Sequence, residues 1–343
     1  MRQGRPLSIA LQGGGSHGAF TWGALTRLTE ARDFAVDAVT GTSSGAVNGA
    51  LLCQGLMRAR TDAEIAAPMA AFWHELGEAF DRIFTPLPEL GEVPFMAPGS
   101  GKFSLEWFLK LTENFAPYVI NPAALNPLRG LLERHIDFAE LTRYTEPRLF
   151  VSATNVRNGK LKLFQRDELT SDHILASACL PSLHHSVSID DETYWDGGFA
   201  ANPPVFPLIF DSRAQDILIV LVNPLQRDDV PTSADDIQAR MREIAFNANF
   251  MREMRAITFS KRFIRQSWYS LGALERKLKS TRIHVIHGDE YLREYRPKTR
   301  YNASARLIDD LYEIGYRCCD EWLARHGEEI GVQDTADLED LFE

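Results

Sequence analysis

The chain has 343 residues, of which 45% are hydrophobic and 24% charged, enough to bury a sizeable core without disulfides or metals. Its net charge of −10 at pH 7 excludes a nucleic-acid partner held by bulk attraction. No apolar run reaches the roughly 20 residues of a membrane span, and no signal-peptide core precedes the first glycines, so a cytoplasmic location is expected.

LSIALQ (7–12) reads as a short buried strand that runs into a glycine turn. A helix follows over HGAFTWGALTRLTEA, where Ala19, Trp22, Leu25 and Leu28 recur at helical spacing. AVDAVTGT (35–42) is a second strand and SSGAVNGALLCQGLM a second helix. Two strand–turn–helix units in succession predict an α/β protein, with a parallel sheet covered by helices. A helical pattern resumes over 61–82, and FTPLPELGEVPFMAPGSGKF (84–103) is a Pro/Gly-rich stretch suited either to a functional loop or to a surface connector.

RLFVSATNV (148–156) and KLKLF (160–164) form a hairpin about RNG. SDHILASACL starts a helix capped by Thr170 or Ser171. YWDGGFAANPPV is dominated by turns, and DILIVLV (216–222) is the clearest buried strand. Residues 234–279 are mostly helical, RIHVIHG (282–288) is a last strand, and ASARLIDDLYEIGYRCCDEWLARH closes the chain as a helix. No linker or repeat divides it. We expect a single domain over 1–343: a motif core at about 7–224, helical and strand elements over 230–326, and an acidic tail, 327–343, that frays. Cys53, Cys179, Cys318 and Cys319 match no zinc spacing, and free thiols are expected.

The glycine turn has two readings. Gly13-Gly14-Gly15-Ser16-His17-Gly18 satisfies G-x-G-x-x-G between a strand and a helix, the setting of a dinucleotide fingerprint. That reading needs an acid at the end of the second strand. Asp37, the one candidate, falls near that strand's start. The second reading begins at the far end of the same strand, where Gly41-Thr42-Ser43-Ser44-Gly45 fits G-x-S-x-G with Ser43 at the centre. Small residues about a serine between strand and helix permit a nucleophile elbow, with Oγ at the positive end of a helix. Both loops follow parallel strands, so both lie at the carboxyl edge of the sheet. Amides around Gly14 and Gly15 then face the carbonyl that Ser43 attacks.

A serine needs a base. His284 and His287 lie on or beside a late strand, and His184 and His185 in SLHHSV, so a Ser–Asp–His arrangement has candidates. Asp196, in Trp195-Asp196-Gly197-Gly198, is the other. Taken alone, D-G-G is a plain turn.

G-G-G-x-x-G, G-x-S-x-G and D-G-G in this order, with ASACLPSL (176–183) before the aspartate and Asn202-Pro203-Pro204 after it, resemble the patatin-like phospholipase family over about residues 7–224. The resemblance implies a three-layer α/β/α fold with a mostly parallel central sheet. It also implies a serine acyl hydrolase of lipid carboxylic esters, of phospholipase A or lysophospholipase type, working through an acyl-enzyme. Carried over by position, Ser43 is the nucleophile, Asp196 the general base, and Gly13, Gly14, Gly15 and Gly18 the oxyanion loop; no metal or cofactor is implied. His17 stands where the family carries Arg or Lys, with a structural role or an auxiliary one as polar group or base. The alternatives are a His-dependent α/β-hydrolase esterase and a noncatalytic nucleotide- or lipid-binding protein. The expected partner is a lipid or acyl-ester substrate, reached by a lid or acyl groove from the 84–118 region. Peripheral membrane contact is expected through the basic, aromatic stretch 255–280, which carries Phe259, Phe263, Ile264, Trp268 and Leu271.

Overall fold

Successive side chains of a strand point to opposite faces of its sheet, and here both faces are covered. In the first strand, β1 (Arg5–Leu11), Leu7, Ile9 and Leu11 enter one core while Ala10 enters the other. In β7 (Asp216–Leu221), Ile217, Ile219 and Leu221 enter the second core and Leu218 and Val220 the first. Continuous apolar runs such as DILIVL are what a sheet buried on both sides requires. The structure, a computed structural model, describes residues 4–31, 33–85, 103–228, 230–266 and 272–343.

The other strands are β2 (Phe34–Thr42), β3 (Arg148–Asn155), β4 (Leu161–Gln165), β5 (Val187–Ile189), β6 (Glu192–Asp196) and β8 (Arg282–His287). Their order is β8-β7-β1-β2-β3-β6-β5, with β4 also paired to β3. The neighbours from β8 to β3 are parallel; β4 and β6 run antiparallel to β3. Helices α1 (Gly18–Glu30), α2 (Ser44–Arg58), α3 (Ala67–Ile83) and α8 (Ala305–His326) pack on the face of the first core. Helices α6 (Phe206–Asp211), α7 (Ala234–Gln266) and α9 (Leu338–Phe342) pack on the other. This is the expected three-layer α/β/α fold with a mixed, mostly parallel sheet. Helix α4 (Leu105–Asn114) and α5 (Ser171–Ser177) complete the surroundings of the site.

The register about β3 matters most for function. Thr42, the last residue of β2, pairs with Ser152, and the next position of β3, Ala153, pairs with Asp196 of β6. Strand β4 occupies the opposite edge of β3 along both stretches, so β2 and β6 share one edge. The chain leaves that edge at Ser43, and Asp196 takes up the vacated place. Two residues far apart in sequence thus end at one spot.

One expectation needs correction. The acidic tail does not fray. Leu338 and Phe342 are buried as α9, and Phe342 meets Phe250 edge-on at 5.7 Å. Leu338, Leu341 and Phe342 lie at i, i+3 and i+4, an apolar stripe hidden among acidic residues. The basic stretch of α7 is this tail's seat: Lys261 and Arg265 pair with Asp334, at 2.6 and 2.7 Å, and Arg262 with Glu343 at 2.7 Å. Three cations of the stretch 255–280, Lys261, Arg262 and Arg265, are thus paired within the protein. Phe259 and Phe263 are exposed and Ile264 is buried, whereas Trp268 and Leu271 lie outside the described residues. So does 86–102, most of the Pro/Gly-rich stretch. Among the described residues no helix is long and apolar enough to cross a membrane, and all four cysteines are buried and unpaired.

Candidate active site

Three parallel strands end side by side at the carboxyl edge, β1 just before Gly13, β2 just before Ser43 and β7 just before Asn223. They open into a cavity of about 480 Å³ lined by Gly13–Gly15, Ser43, Asp196 and Asn202, with apolar walls that include Leu109, Leu180, Leu183, Met241 and Phe246.

Ser43 sits at φ 54°, ψ −121°, outside the comfortable regions for a side-chain-bearing residue. Strain of this kind costs about 1–3 kcal/mol and is characteristic of functional turns. The turn is tight enough to require glycine on both sides. A Cβ on Gly41 would lie 2.5 Å from the Gly45 carbonyl oxygen, and one on Gly45 would lie 2.2 Å from that of Leu11. The Ser43 amide donates to Ser177 Oγ (2.9 Å) at the end of α5, and α2 begins directly behind it, its positive end at the hydroxyl.

Asp196 is 1% exposed. Burial pushes its carboxyl up to about 7; the Gly198 amide, which donates to Oδ1 at 2.8 Å, a side-chain hydrogen bond with Ser43 and the charge of Arg300 pull the other way without cancelling it. A carboxylate near neutrality beside a strained serine can accept that serine's proton at physiological pH.

The glycine loop is wired more tightly than its sequence suggests. Gly13 N–H donates to Asn202 Oδ1 (2.7 Å), while Asn202 Nδ2 and Asn223 Nδ2 donate to the Gly13 carbonyl at 3.2 and 3.1 Å. Gly14 N–H donates to Ser44 Oγ (3.0 Å), and Gly18 N–H to the carbonyls of Gly15 and Ser16. Of the four expected oxyanion donors, Gly13, Gly14 and Gly18 are thus engaged within the protein. Gly15 N–H has no acceptor among the described residues, and Gly15 lines the cavity. Its φ of +62°, and a hypothetical Cβ 2.3 Å from the Arg300 carbonyl oxygen, make glycine obligatory there.

His17 is buried and does not line the cavity. Thr299 Oγ1 donates to the Arg296 carbonyl (2.7 Å), so it accepts from His17 Nε2–H at 2.8 Å. Burial, reinforced by Arg300, brings the imidazole down to about 3. It is neutral at pH 7 and ties the 297–301 turn to the glycine loop; the auxiliary-base role is not supported. A cation reaches the cavity from that same turn, as Arg300.

The other histidines lie elsewhere. His284 is wholly buried at the opposite edge of the sheet, with Nε2 3.0 Å from Asp216. His287 faces Asp289 at 3.5 Å. His185 contacts the Pro117 carbonyl (3.2 Å), and neither it nor His184 lines the cavity. Asp37, the dinucleotide candidate, accepts from the Arg213 and Ala214 amides at 2.6 and 3.2 Å, well down β2 from the glycine loop.

Sequence reasoning missed Ser44, Ser177, Asn202, Asn223 and Arg300 as functional neighbours. Ser177 and Asn202 stood inside quoted motifs without a role; nothing in RPKTRYN marks Arg300.

A family model described as Patatin-like phospholipase matches residues 9–209. Among solved structures the chain is similar to one titled "Crystal structure of VipD from Legionella pneumophila", at 13% identity and a TM-score of 0.40, covering 94% of this chain and 67% of that one. No curated protein matches.

Proposed function

The chain belongs to the patatin-like phospholipase family, and from that premise we propose that it is a serine hydrolase of lipid carboxylic esters that works through a Ser43–Asp196 dyad. Ser43 Oγ attacks the ester carbonyl carbon and passes its proton to Asp196. Gly15 N–H receives the resulting oxyanion, joined by Gly14 N–H if that amide releases Ser44. A preorganised donor of this kind lowers the barrier by about 2.7–4 kcal/mol. Collapse expels the alcohol with the proton from Asp196 and leaves an acyl group on Ser43. A water then gives its proton to Asp196 and its oxygen to the acyl carbon, and collapse returns the proton to Ser43 with release of the fatty acid.

One observation carries this reading: a buried carboxyl raised to about 7 beside a strained serine, in a cavity whose described lining holds no histidine. The lining is mostly apolar, which suits an acyl chain.

The test is turnover of a p-nitrophenyl acyl ester and a panel of lipid esters, with products read by mass spectrometry. Ser43→Ala should lower kcat by about 10⁴-fold or more, and Asp196→Asn by about 10²–10⁴-fold. Single substitutions of His184, His185, His284 and His287 should leave the soluble enzyme active. Loss of activity in one of these histidine variants while it stays folded would favour a His-dependent esterase. A wild type that binds lipid but hydrolyses none would favour a noncatalytic binding protein.

A further inference from the structure

Three cationic side chains line the cavity: Arg242, Lys298 and Arg300. Two have carboxylates of their own, since Arg242 lies 3.5 Å from Glu113 and Lys298 pairs with Asp235 at 3.1 Å. Among the described residues no carboxylate lies within ion-pair distance of Arg300. Its Nε donates to the Pro297 carbonyl (2.9 Å) and Nη2 reaches Asn223 Oδ1 only at 3.4 Å; among the described residues no acceptor meets Nη1. Glu243, which acts on it electrostatically, already holds Arg227 and Arg240, at 2.8 and 2.7 Å, and Asp196, whose carboxyl feels the charge of Arg300, forms no ion pair with it. Arg300 is half-buried and lines the cavity, and its guanidinium stays charged there. Enclosing such a group without a counter-ion is unfavourable unless something brings one.

The segment is also fixed in place. Ser16 Oγ donates to the Thr299 carbonyl (3.1 Å), His17 Nε2–H donates to the Thr299 hydroxyl, and the Arg300 backbone packs against Gly15 with no room for a Cβ between them. Asn223, which the guanidinium touches, holds the Gly13 carbonyl. The donor fork is therefore preorganised beside the glycine loop, where the reacting ester would lie.

We propose that Arg300 is a specificity-determining residue that receives an oxyanionic group of the ligand, so that the pocket prefers acyl esters bearing a phosphate to neutral esters of the same chain length. The inference rests on the acyl-hydrolase reading of this cavity. Planar, bidentate recognition of a phosphate or carboxylate is the task a guanidinium performs better than an ammonium. The anion is either the substrate's phosphate or the carboxylate of the released fatty acid.

Binding and turnover test it separately. In full-length Ser43→Ala protein, dodecyl phosphate, dodecanoate and 1-O-dodecylglycerol are titrated by calorimetry, with and without Arg300→Gln and Arg300→Lys. Dodecyl phosphate should bind at least tenfold tighter than the neutral ether. Arg300→Gln should erase most of that preference, and Arg300→Lys should keep part of it. Dodecanoate bound tightest, with the same dependence on Arg300, would move the role to the product carboxylate and overturn the substrate preference. Equal affinities for all three ligands, or an equal loss for all three on substitution, would overturn the anion site altogether. If Arg300→Gln fails to fold, the wild-type ranking and Arg300→Lys still decide.

In otherwise wild-type enzyme, the ratio of kcat/KM for a lysophospholipid to that for the matched monoacylglycerol should fall at least tenfold in Arg300→Gln, mainly through KM. An unchanged ratio would contradict the proposal. Selective binding without hydrolysis of any ester would sink the hydrolase reading and leave the anion site standing; hydrolysis without selectivity would do the reverse.

Discussion

A carboxyl raised to about 7 has consequences for rate and for stability, and the two have opposite signs. As a base Asp196 works only when ionised, so kcat/KM should rise with pH through an inflection near 7 and level off above it. Stability runs the other way. Between about 3.8 and 7 the unfolded chain gives up this proton while the folded protein keeps it, so stability from this group falls as pH rises through that window and is fully lost above it. A difference of about three units corresponds to at most ~4 kcal/mol. Asp196→Asn should therefore unfold at higher temperature than wild type at pH 8 and show little gain near pH 4, by calorimetry at both pH values; a melting point lowered at pH 8 would contradict the assigned burial. At Gly15 the backbone decides. Gly15→Ala must place a Cβ at positive φ against the Arg300 carbonyl. It should cost about 1–3 kcal/mol and slow ester turnover in the fraction that stays folded.

At the scale of elements, β6 carries the site and α9 secures the layer behind it. The strand–turn–helix units of β1–α1 and β2–α2 were legible from apolar periodicity and glycine placement, and so was the elbow at Ser43. That Asp196 would end beside it was not derivable from spacing. It depends on β6 pairing antiparallel to β3 just where β2 stops, a long-range register that the family resemblance supplied and local pattern did not. The tail was misread because DTADLEDLFE looks like a charged fray, and its leucines and phenylalanine gain meaning only against α7. Phe342→Ala should lower stability by about 3–5 kcal/mol, in line with the loss of a buried aromatic, and raised salt should weaken the tail's docking further. Denaturant melts of wild type and variant at two ionic strengths would show it; an unchanged midpoint would return the tail to a frayed end.

Across the whole molecule the two edges of the sheet are put to different uses. The carboxyl edge gathers the glycine loop, Ser43 and Asn223, whereas the opposite edge holds a structural cluster. There, against the opposing effect of its own burial, hydrogen bonds from Arg282, His284 and the Gly331 amide hold Asp216 well below the usual carboxylate range. Asp216→Asn should accordingly cost about 3–5 kcal/mol of stability, lost progressively in wild type as the medium becomes strongly acidic, while ester turnover by the folded variant persists. The Asp216–His284 pair thus lies at the opposite edge of the sheet from Ser43. The fold class was thus legible in motifs, and the proposed pairing of Ser43 with Asp196 came through the family resemblance. The cation at the pocket wall was not legible, because Arg300 comes from a turn with no pattern of its own, nearly 300 residues downstream of the loop it abuts.

Mass spectrometric mapping of a fluorophosphonate adduct, followed over pH, tests the dyad most directly, because fluoride departs only when an activated nucleophile attacks phosphorus. The account predicts one adduct, on Ser43, formed at a rate that climbs through a pH near 7, abolished in Asp196→Asn and retained when each histidine is replaced. Labelling at another residue, or labelling of Ser43 that survives loss of the Asp196 carboxylate, would contradict it.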